Sequence, residues 1–327
     1  MTEKKSPLNF PGKGRRHLSA TNQLTKKKLY DITADNIAPP YNEYEYFKDC
    51  DQLPFRYQAN SFDMVNAWWL IEASTLVYGE PDFVTERFQK NAGLTEVKFF
   101  EDITTQCFVA SNDKFAIVAF RGSEGRLREG DSDPGYILAD WVANFNFLPE
   151  QWDRGGKVHR GFKTALSEVW TSLEIHISNL HQNNLKIWLT GHSLGAALAT
   201  LAADRFGNVQ GLYTFGSPRV GDRDFEKEYK VNTYRFVNNS DIVTRVPPSS
   251  MYCHVGELRY IDSQGIIHNN TNRWESWSDE IQDKIKIAFN ALSQTRKGFT
   301  GVLLEPIVDH VPTLYAIHIW NNIPEVD

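Results

Sequence analysis

Apolar residues recur at helical spacing through the stretch SFDMVNAWWLIEASTLVY at 61–78, and Gly79 and Pro81 end the run. This pattern predicts a buried helix. Two runs rich in β-forming residues follow at 106–110 and 115–120, and Ser111-Asn112-Asp113 between them has the chemistry of a turn, so an antiparallel pair is expected. The period then changes. A helical pattern over 161–181 leads through Asn183-Asn184 into an apolar run at 185–190, and an Ala- and Leu-rich helical stretch covers 193–206. Further β-rich runs lie at 209–215 and 231–237, separated by a charged helical stretch at 222–230. Strands alternating with helices predict a mostly parallel central sheet with helices on its faces. One more strand is expected at 255–261, an amphipathic helix at 279–294 and a short helix over 309–320. Between the antiparallel pair and the first long helix, residues 125–133 are charged and glycine-rich, and the patch Tyr136-Ile137-Leu138-Ala139 precedes Asp140-Trp141. That reads as a long surface loop carrying apolar side chains.

At 327 residues, with 41% hydrophobic and 23% charged residues, the chain fits one elaborated soluble domain and neither favours nor excludes an enzyme. Charge is unevenly spread. Lys4, Lys5, Lys13, Arg15, Arg16, Lys26, Lys27 and Lys28 face only Glu3 in the first 28 residues, a local charge of +7 that leaves −13 for the rest of a chain of net charge −6. Residues 1–55 are therefore read as a basic, flexible N-terminal extension and 56–327 as a single folded domain. The basic block is either a solvated tail or a means of peripheral contact with anionic membranes, each cation contributing about 1 kcal/mol. Nucleic acid is a poor partner for so acidic a body. The three cysteines, Cys50, Cys107 and Cys253, are far apart and lack metal-ligand spacing. No window approaches the roughly 18–20 apolar residues of a membrane span, and no secretory leader or lipidation motif is readable. The expected location is cytoplasmic, with peripheral membrane contact.

The chemistry gathers at Gly191-His192-Ser193-Leu194-Gly195, a G-x-S-x-G between a predicted strand and a predicted helix. In that context the pattern is a nucleophile elbow, a sharp turn that lifts the serine hydroxyl above the sheet. A serine hydroxyl needs a histidine base, itself oriented by a carboxylate. In this architecture those partners follow the serine, acid first. Asp222, Asp241 and Asp262 are the downstream acids at strand ends. Asp241, after the second strand beyond the elbow, is the best placed; Asp222 reads better as a helix cap before Phe225. Among His254, His268, His310 and His318, the last lies in an apolar helical context and the first two border a strand and a polar turn. His310 sits in the loop Val308-Asp309-His310-Val311-Pro312, just before a helix, and is the preferred base. An oxyanion hole needs a backbone donor beside the N–H of Leu194, and the turn at Arg121-Gly122-Ser123 is a candidate, with an ordinary tight turn the competing reading.

Taken together these blocks resemble the class 3 (fungal-type) lipases of the α/β-hydrolase fold. The resemblance is carried by Phe120-Arg121-Gly122-Ser123, Asp140-Trp141 with Asn144-Phe145, Val158-His159-Arg160-Gly161-Phe162, Gly191 to Gly195, Gly216-Ser217-Pro218-Arg219-Val220-Gly221, the segment around Asp241, and Asp309-His310. It implies an α/β-hydrolase fold with a lid loop, a triad of Ser193, Asp241 and His310, and Ser123 and Leu194 as oxyanion donors. It also implies a lid over about 124–139, with Tyr136, Ile137 and Leu138 as its apolar part. The stretch between Ser123 and Asp140 is longer and more polar than the compact family pattern. The activity implied is serine-dependent hydrolysis of lipid esters, an acylglycerol lipase working through an acyl-enzyme at a membrane or droplet surface. It requires neither cofactor nor metal. A phospholipase A1 or galactolipase is the alternative within enzymes, and a catalytically silent scaffold the alternative outside them.

Overall fold

The computed structural model describes residues 24–30, 32–33, 39–123, 147–269 and 305–324. Helix α1 (Met64–Leu76) begins at Asp63, whose carboxylate accepts the N–H groups of Val65 and Asn66, and is followed by α2 (Pro81–Lys90). Strands β1 (Glu96–Glu101), β2 (Gln106–Ser111) and β3 (Phe115–Phe120) form an antiparallel meander. A small hairpin, β4 (Pro149–Gln151) and β5 (Lys157–His159), leads into the long helix α3 (Arg160–Gln182). Then come β6 (Lys186–His192), α4 (Leu194–Phe206), β7 (Gly211–Phe215), α5 (Arg223–Glu228) and β8 (Thr233–Asn238). A 3-10 turn (Ile242–Arg245), β9 (Glu257–Ile261), β10 (Ile267–Asn269), α6 (Glu305–Val308) and α7 (Pro312–Asn321) complete the described elements.

The main sheet runs β1-β2-β3-β6-β7-β8-β9-β10. Strands β3, β6, β7, β8 and β9 are mutually parallel, and antiparallel strands flank them. Both faces are covered, which is why β3 reads as an unbroken apolar run. Its Phe115, Ile117 and Ala119 join an aromatic layer with α1 and α7, whereas Ala116, Val118 and Phe120 join the layer built by α3 and α4. Asp222 caps α5 by accepting the Phe225 N–H at 2.9 Å. Helix α2 and strand β1 were not expected; β1 carries Glu96, Lys98 and Glu101 on a sheet edge, where charge discourages further pairing but hides the strand from an apolar pattern. The amphipathic helix expected at 279–294 lies outside the described residues, as do Tyr136, Ile137 and Leu138.

The N-terminal extension is shorter than 1–55. Tyr46, Phe47, Leu53 and Phe55 are buried in the aromatic layer, and the Trp69 indole donates to the Leu53 carbonyl at 2.7 Å. Residues 24–30 are docked too. Lys27 exchanges backbone hydrogen bonds with the Asn321 side chain, the Trp320 indole donates to the Thr25 carbonyl, and the Lys27 ammonium lies 4.5 Å above the Trp320 ring. These aromatic positions are scattered among charges, so composition conceals that they seal the core. Their anchor is Glu72, fully buried on α1, which accepts from Tyr44 Oη at 2.7 Å, Trp68 Nε1 at 3.0 Å and the Phe47 N–H at 3.0 Å.

Trp68 is fully buried, packs edge-on to Trp320 at 5.1 Å and donates to Glu72. Trp68→Ala is expected to reduce stability by about 3–5 kcal/mol, measured by denaturant unfolding. A loss below about 1 kcal/mol would show that this face is not held together there.

Candidate active site

Ser193 stands between β6 and α4 with φ 59° and ψ −129°. Its N–H donates to the Phe215 carbonyl of β7 at 3.0 Å. A Cβ on Gly191 would come within 2.2 Å of the Gly195 carbonyl oxygen, and one on Gly195 within 2.2 Å of the Phe120 oxygen, so both flanking positions require glycine. Leu194 is the first residue of α4, where backbone N–H groups are unpaired within the helix and favour negative charge. Strand β3 ends beside this point. Ser123 and Leu194 line a common cavity of about 470 Å³ together with Gln106, Arg121, Asp102 and Thr104.

Asp241 is fully buried between β8 and the 3-10 turn. It accepts from the Val243 N–H at 2.9 Å, from Tyr315 Oη at 2.6 Å and from His310 Nδ1 at 2.9 Å. With Nδ1–H committed to the carboxylate, Nε2 of a neutral His310 carries the lone pair. That nitrogen is buried and has no hydrogen-bond partner. Ser193 and His310 are thus not hydrogen-bonded to each other here, and an orphaned buried nitrogen costs roughly 1–3 kcal/mol. Such contacts tighten when a substrate is bound.

The sequence reading missed the residues that tie these parts together. His192 Nε2 lies 2.8 Å from the His310 carbonyl, which can only accept, so Nε2 bears the proton and Nδ1 accepts from Tyr78 Oη at 3.0 Å. The Tyr78 hydroxyl also lies against Gly122, where a Cβ would come within 1.9 Å of it. Hydrogen bonds therefore run from Tyr78, which packs on the turn before Ser123, through the residue preceding Ser193, to the loop bearing His310. The imidazole centroids of His192 and His310 lie 4.4 Å apart, the rings tilted by 35°. Burial drives the His192 pKa well below its usual value, and His310 lowers it further, so His192 stays neutral. Nothing in G-x-S-x-G singles out its second position. Tyr315, the Asp241 donor, looked like any aromatic residue of an apolar helix.

The other candidates fall elsewhere. His254 bonds the Thr244 carbonyl at 2.9 Å, His268 pairs with Asp262 at 2.7 Å, and His318 lies against Gly265.

Residues 117–251 match the family described as Lipase (class 3). A lipase of Rhizomucor miehei is 34% identical over 176 residues, covering 48% of this chain and 45% of that protein. The secreted mono- and diacylglycerol lipase 1 of Fusarium solani is 40% identical over 136 residues, covering 38% of this chain and 41% of that protein. The chain spans under half the length of these curated relatives. Among solved structures, that of a triacylglycerol lipase with a serine-protease triad is 25% identical, with a TM-score of 0.46 over 60% of this chain and 78% of its own. The relatives named as secreted overturn the cytoplasmic location expected from the sequence. That expectation had no positive physical marker behind it, only a leader and a span that were not found. No described helix is long and apolar enough to cross a membrane.

Asp309, beside His310, accepts from the Ser240 N–H and from Asn239 Nδ2, each at 3.0 Å. Burial raises its carboxyl to about 7; the Ser240 N–H opposes the rise, and Asp241 and Glu305 add to it. The folded chain therefore keeps a proton up to about pH 7 that the unfolded chain releases at about pH 4. Unfolding free energy falls as pH rises across that window. Asp309→Asn should flatten the slope, gaining on the wild type from pH 4 to 7 in thermal unfolding. Parallel curves for the two proteins would mean that Asp309 does not hold this proton.

Proposed function

We propose that this chain, whose residues 117–251 match the class 3 lipase family, is a serine carboxylic ester hydrolase acting on acylglycerols. The observation that carries the reading is the His310–Asp241 pair, with Nδ1 on the carboxylate and Nε2 buried without a partner next to the elbow. In this reading Ser193 Oγ attacks the ester carbonyl while His310 Nε2 takes its proton, and Asp241 stabilises the imidazolium. The carbonyl oxygen, now negative, is held by the N–H groups of Leu194 and Ser123, with the Ser123 hydroxyl as a further donor. Collapse returns the proton to the departing alcohol and leaves an acyl-Ser193 that water hydrolyses. His192, Tyr78 and Tyr315 position these groups without touching substrate. Acylglycerols are favoured because relatives carry the names mono- and diacylglycerol lipase.

Residues 124–139 are proposed as a lid, with Tyr136, Ile137 and Leu138 supplying the apolar surface that covers the site in water and enters lipid at an interface. The basic N-terminus is proposed to add a contact with anionic membranes. Three of its eight cations, Lys26, Lys27 and Lys28, fall in the docked segment 24–30, so the part available to a membrane is 1–23, with a charge of +4.

On a soluble short-chain ester, Ser193→Ala and His310→Ala should each lower kcat on the order of 10⁶-fold and Asp241→Asn about 10⁴-fold. Ser123→Ala should lower kcat by roughly 10²–10³ with KM little changed. Activity retained in Ser193→Ala, or no fluorophosphonate labelling of Ser193 in the wild type, would remove the hydrolase reading. A panel of mono-, di- and triacylglycerols with phospholipids and galactolipids tests the substrate class, and turnover of phospholipids alone would replace acylglycerols with the phospholipase alternative.

Deleting residues 1–23 should weaken binding to anionic vesicles at low salt, leave binding to neutral vesicles unchanged and preserve turnover of the soluble ester. Equal binding of both forms to anionic vesicles would reduce the tail to a solvated segment.

A further inference from the structure

Beyond the acid loop lies a buried charge that the hydrolytic machinery does not use. Arg235 sits in β8 between Tyr234 and Phe236, whose rings join the aromatic layer, so its own side chain points to the opposite face of the sheet. It is only 9% exposed, and its Nε and Nη1 have no hydrogen-bond partner. The residues in register with it on the adjacent strands are Thr214 and Leu258, neither of which carries charge. Among the described residues, the charged neighbours acting most on it are two more cations. Burial, then Arg219, then Arg245, push its guanidinium down to about 9.

Those neighbours come from separate parts of the fold. Arg219 enters from the loop after β7 and uses Nη1 on the carbonyls of Arg245 and Pro247. Arg245 ends the 3-10 turn that Asp241 caps. His254, bonded through Nε2 to the Thr244 carbonyl, borders the same three arginines and is held neutral, first by burial and then by their charge. Asp241 acts on Arg245, but its oxygens are already engaged by His310, Tyr315 and the Val243 N–H. An unpaired buried cation is costly, and guanidinium donors match oxyanions in charge and hydrogen-bonding capacity.

We propose that the arginine cluster behind β8 and the 3-10 turn binds one small tetrahedral oxyanion of phosphate or sulfate size, held by Arg235 with Arg219 and Arg245 around it. Several acceptor oxygens on one ion answer donors that point in different directions, which chloride cannot do. The bound ion braces the 3-10 turn and therefore the loop that presents Asp241. Its role is structural, and it does not depend on the hydrolytic reading.

The full-length protein is dialysed exhaustively into phosphate- and sulfate-free buffer, and its thermal unfolding is followed as sodium phosphate replaces sodium chloride at constant ionic strength. The expected result is a saturable rise in Tm of roughly 2–4 °C. If the ion survives dialysis, about one phosphate or sulfate per chain is instead released on acid denaturation and detected by ion chromatography. Leu258→Glu places a carboxylate directly across from Arg235, so this variant should lose the phosphate response and release no ion; Arg235→Gln should do the same. A wild-type chain that neither responds nor releases an ion overturns the proposal and leaves Arg235 solvated by ordered water. So does a Leu258→Glu chain that keeps the wild-type response, which also covers the case in which Arg235→Gln fails to fold.

Discussion

Ser193 holds its backbone at φ 59° and ψ −129°, a conformation that costs an L-residue about 1–3 kcal/mol and persists only where its surroundings over-determine it. Three constraints do so. Its N–H is bonded to the Phe215 carbonyl of β7, Gly191 lies against Gly195, and Gly195 lies against the end of β3 at Phe120. The elbow therefore demands that β3, β6 and β7 be adjacent and in one register, with Phe120 beside Gly191 and His192 beside Phe215. The parallel centre of the sheet and the start of α4 are consequences of holding that one turn.

A second constraint is electrostatic. Asp241 is a buried carboxylate surrounded by donors from β8's own loop, from α7 through Tyr315 and from the His310 loop. A buried polar network is stabilising when complete and costly when one member is missing, so Asp241 fixes where three chain segments meet. His192 performs the corresponding task between the elbow and the His310 loop, using a neutral imidazole that donates on one side and accepts on the other. Because both anchors are buried, side chains more than a hundred residues apart are held to hydrogen-bond tolerance without a bound ligand. His310 Nε2 is left unpaired within this frame, and it is the nitrogen proposed to take the Ser193 proton.

The two faces of the sheet divide these tasks. One is an aromatic layer, closed by Tyr46, Phe47 and Phe55 and by the docking of residues 24–30 on Trp320. The other carries the aliphatic contacts of α3 and α4 and, past β7, the arginines around β8. Asp241 caps the turn that Arg245 ends and acts on its charge, so acid and cations share one turn.

The local code was legible. The apolar run of β6, the glycines flanking Ser193 and the alanines of α4 place an elbow wherever strand meets helix at that spacing, because backbone crowding at a sharp turn is a local matter. Chain order then pointed to Asp241 and His310, which the fold brings to 2.9 Å. What sequence could not reveal was long-range. Tyr46, Phe47 and Phe55 lie among charged residues and pack on rings that come later in the chain, Tyr46 on Phe83, Phe47 on Trp69 and Phe88, and Phe55 on Trp69, Phe115 and Trp188. His192 and Tyr315 take their roles from partners 118 and 74 residues away, and Arg235 is orphaned only because strand register sets Thr214 and Leu258 beside it. Periodicity and turn chemistry act over a few neighbouring residues, so the sequence alone determined the strands and helices around Ser193 and the turn that carries it. Which buried polar groups meet, and which are left without a partner, was decided by how those elements pack.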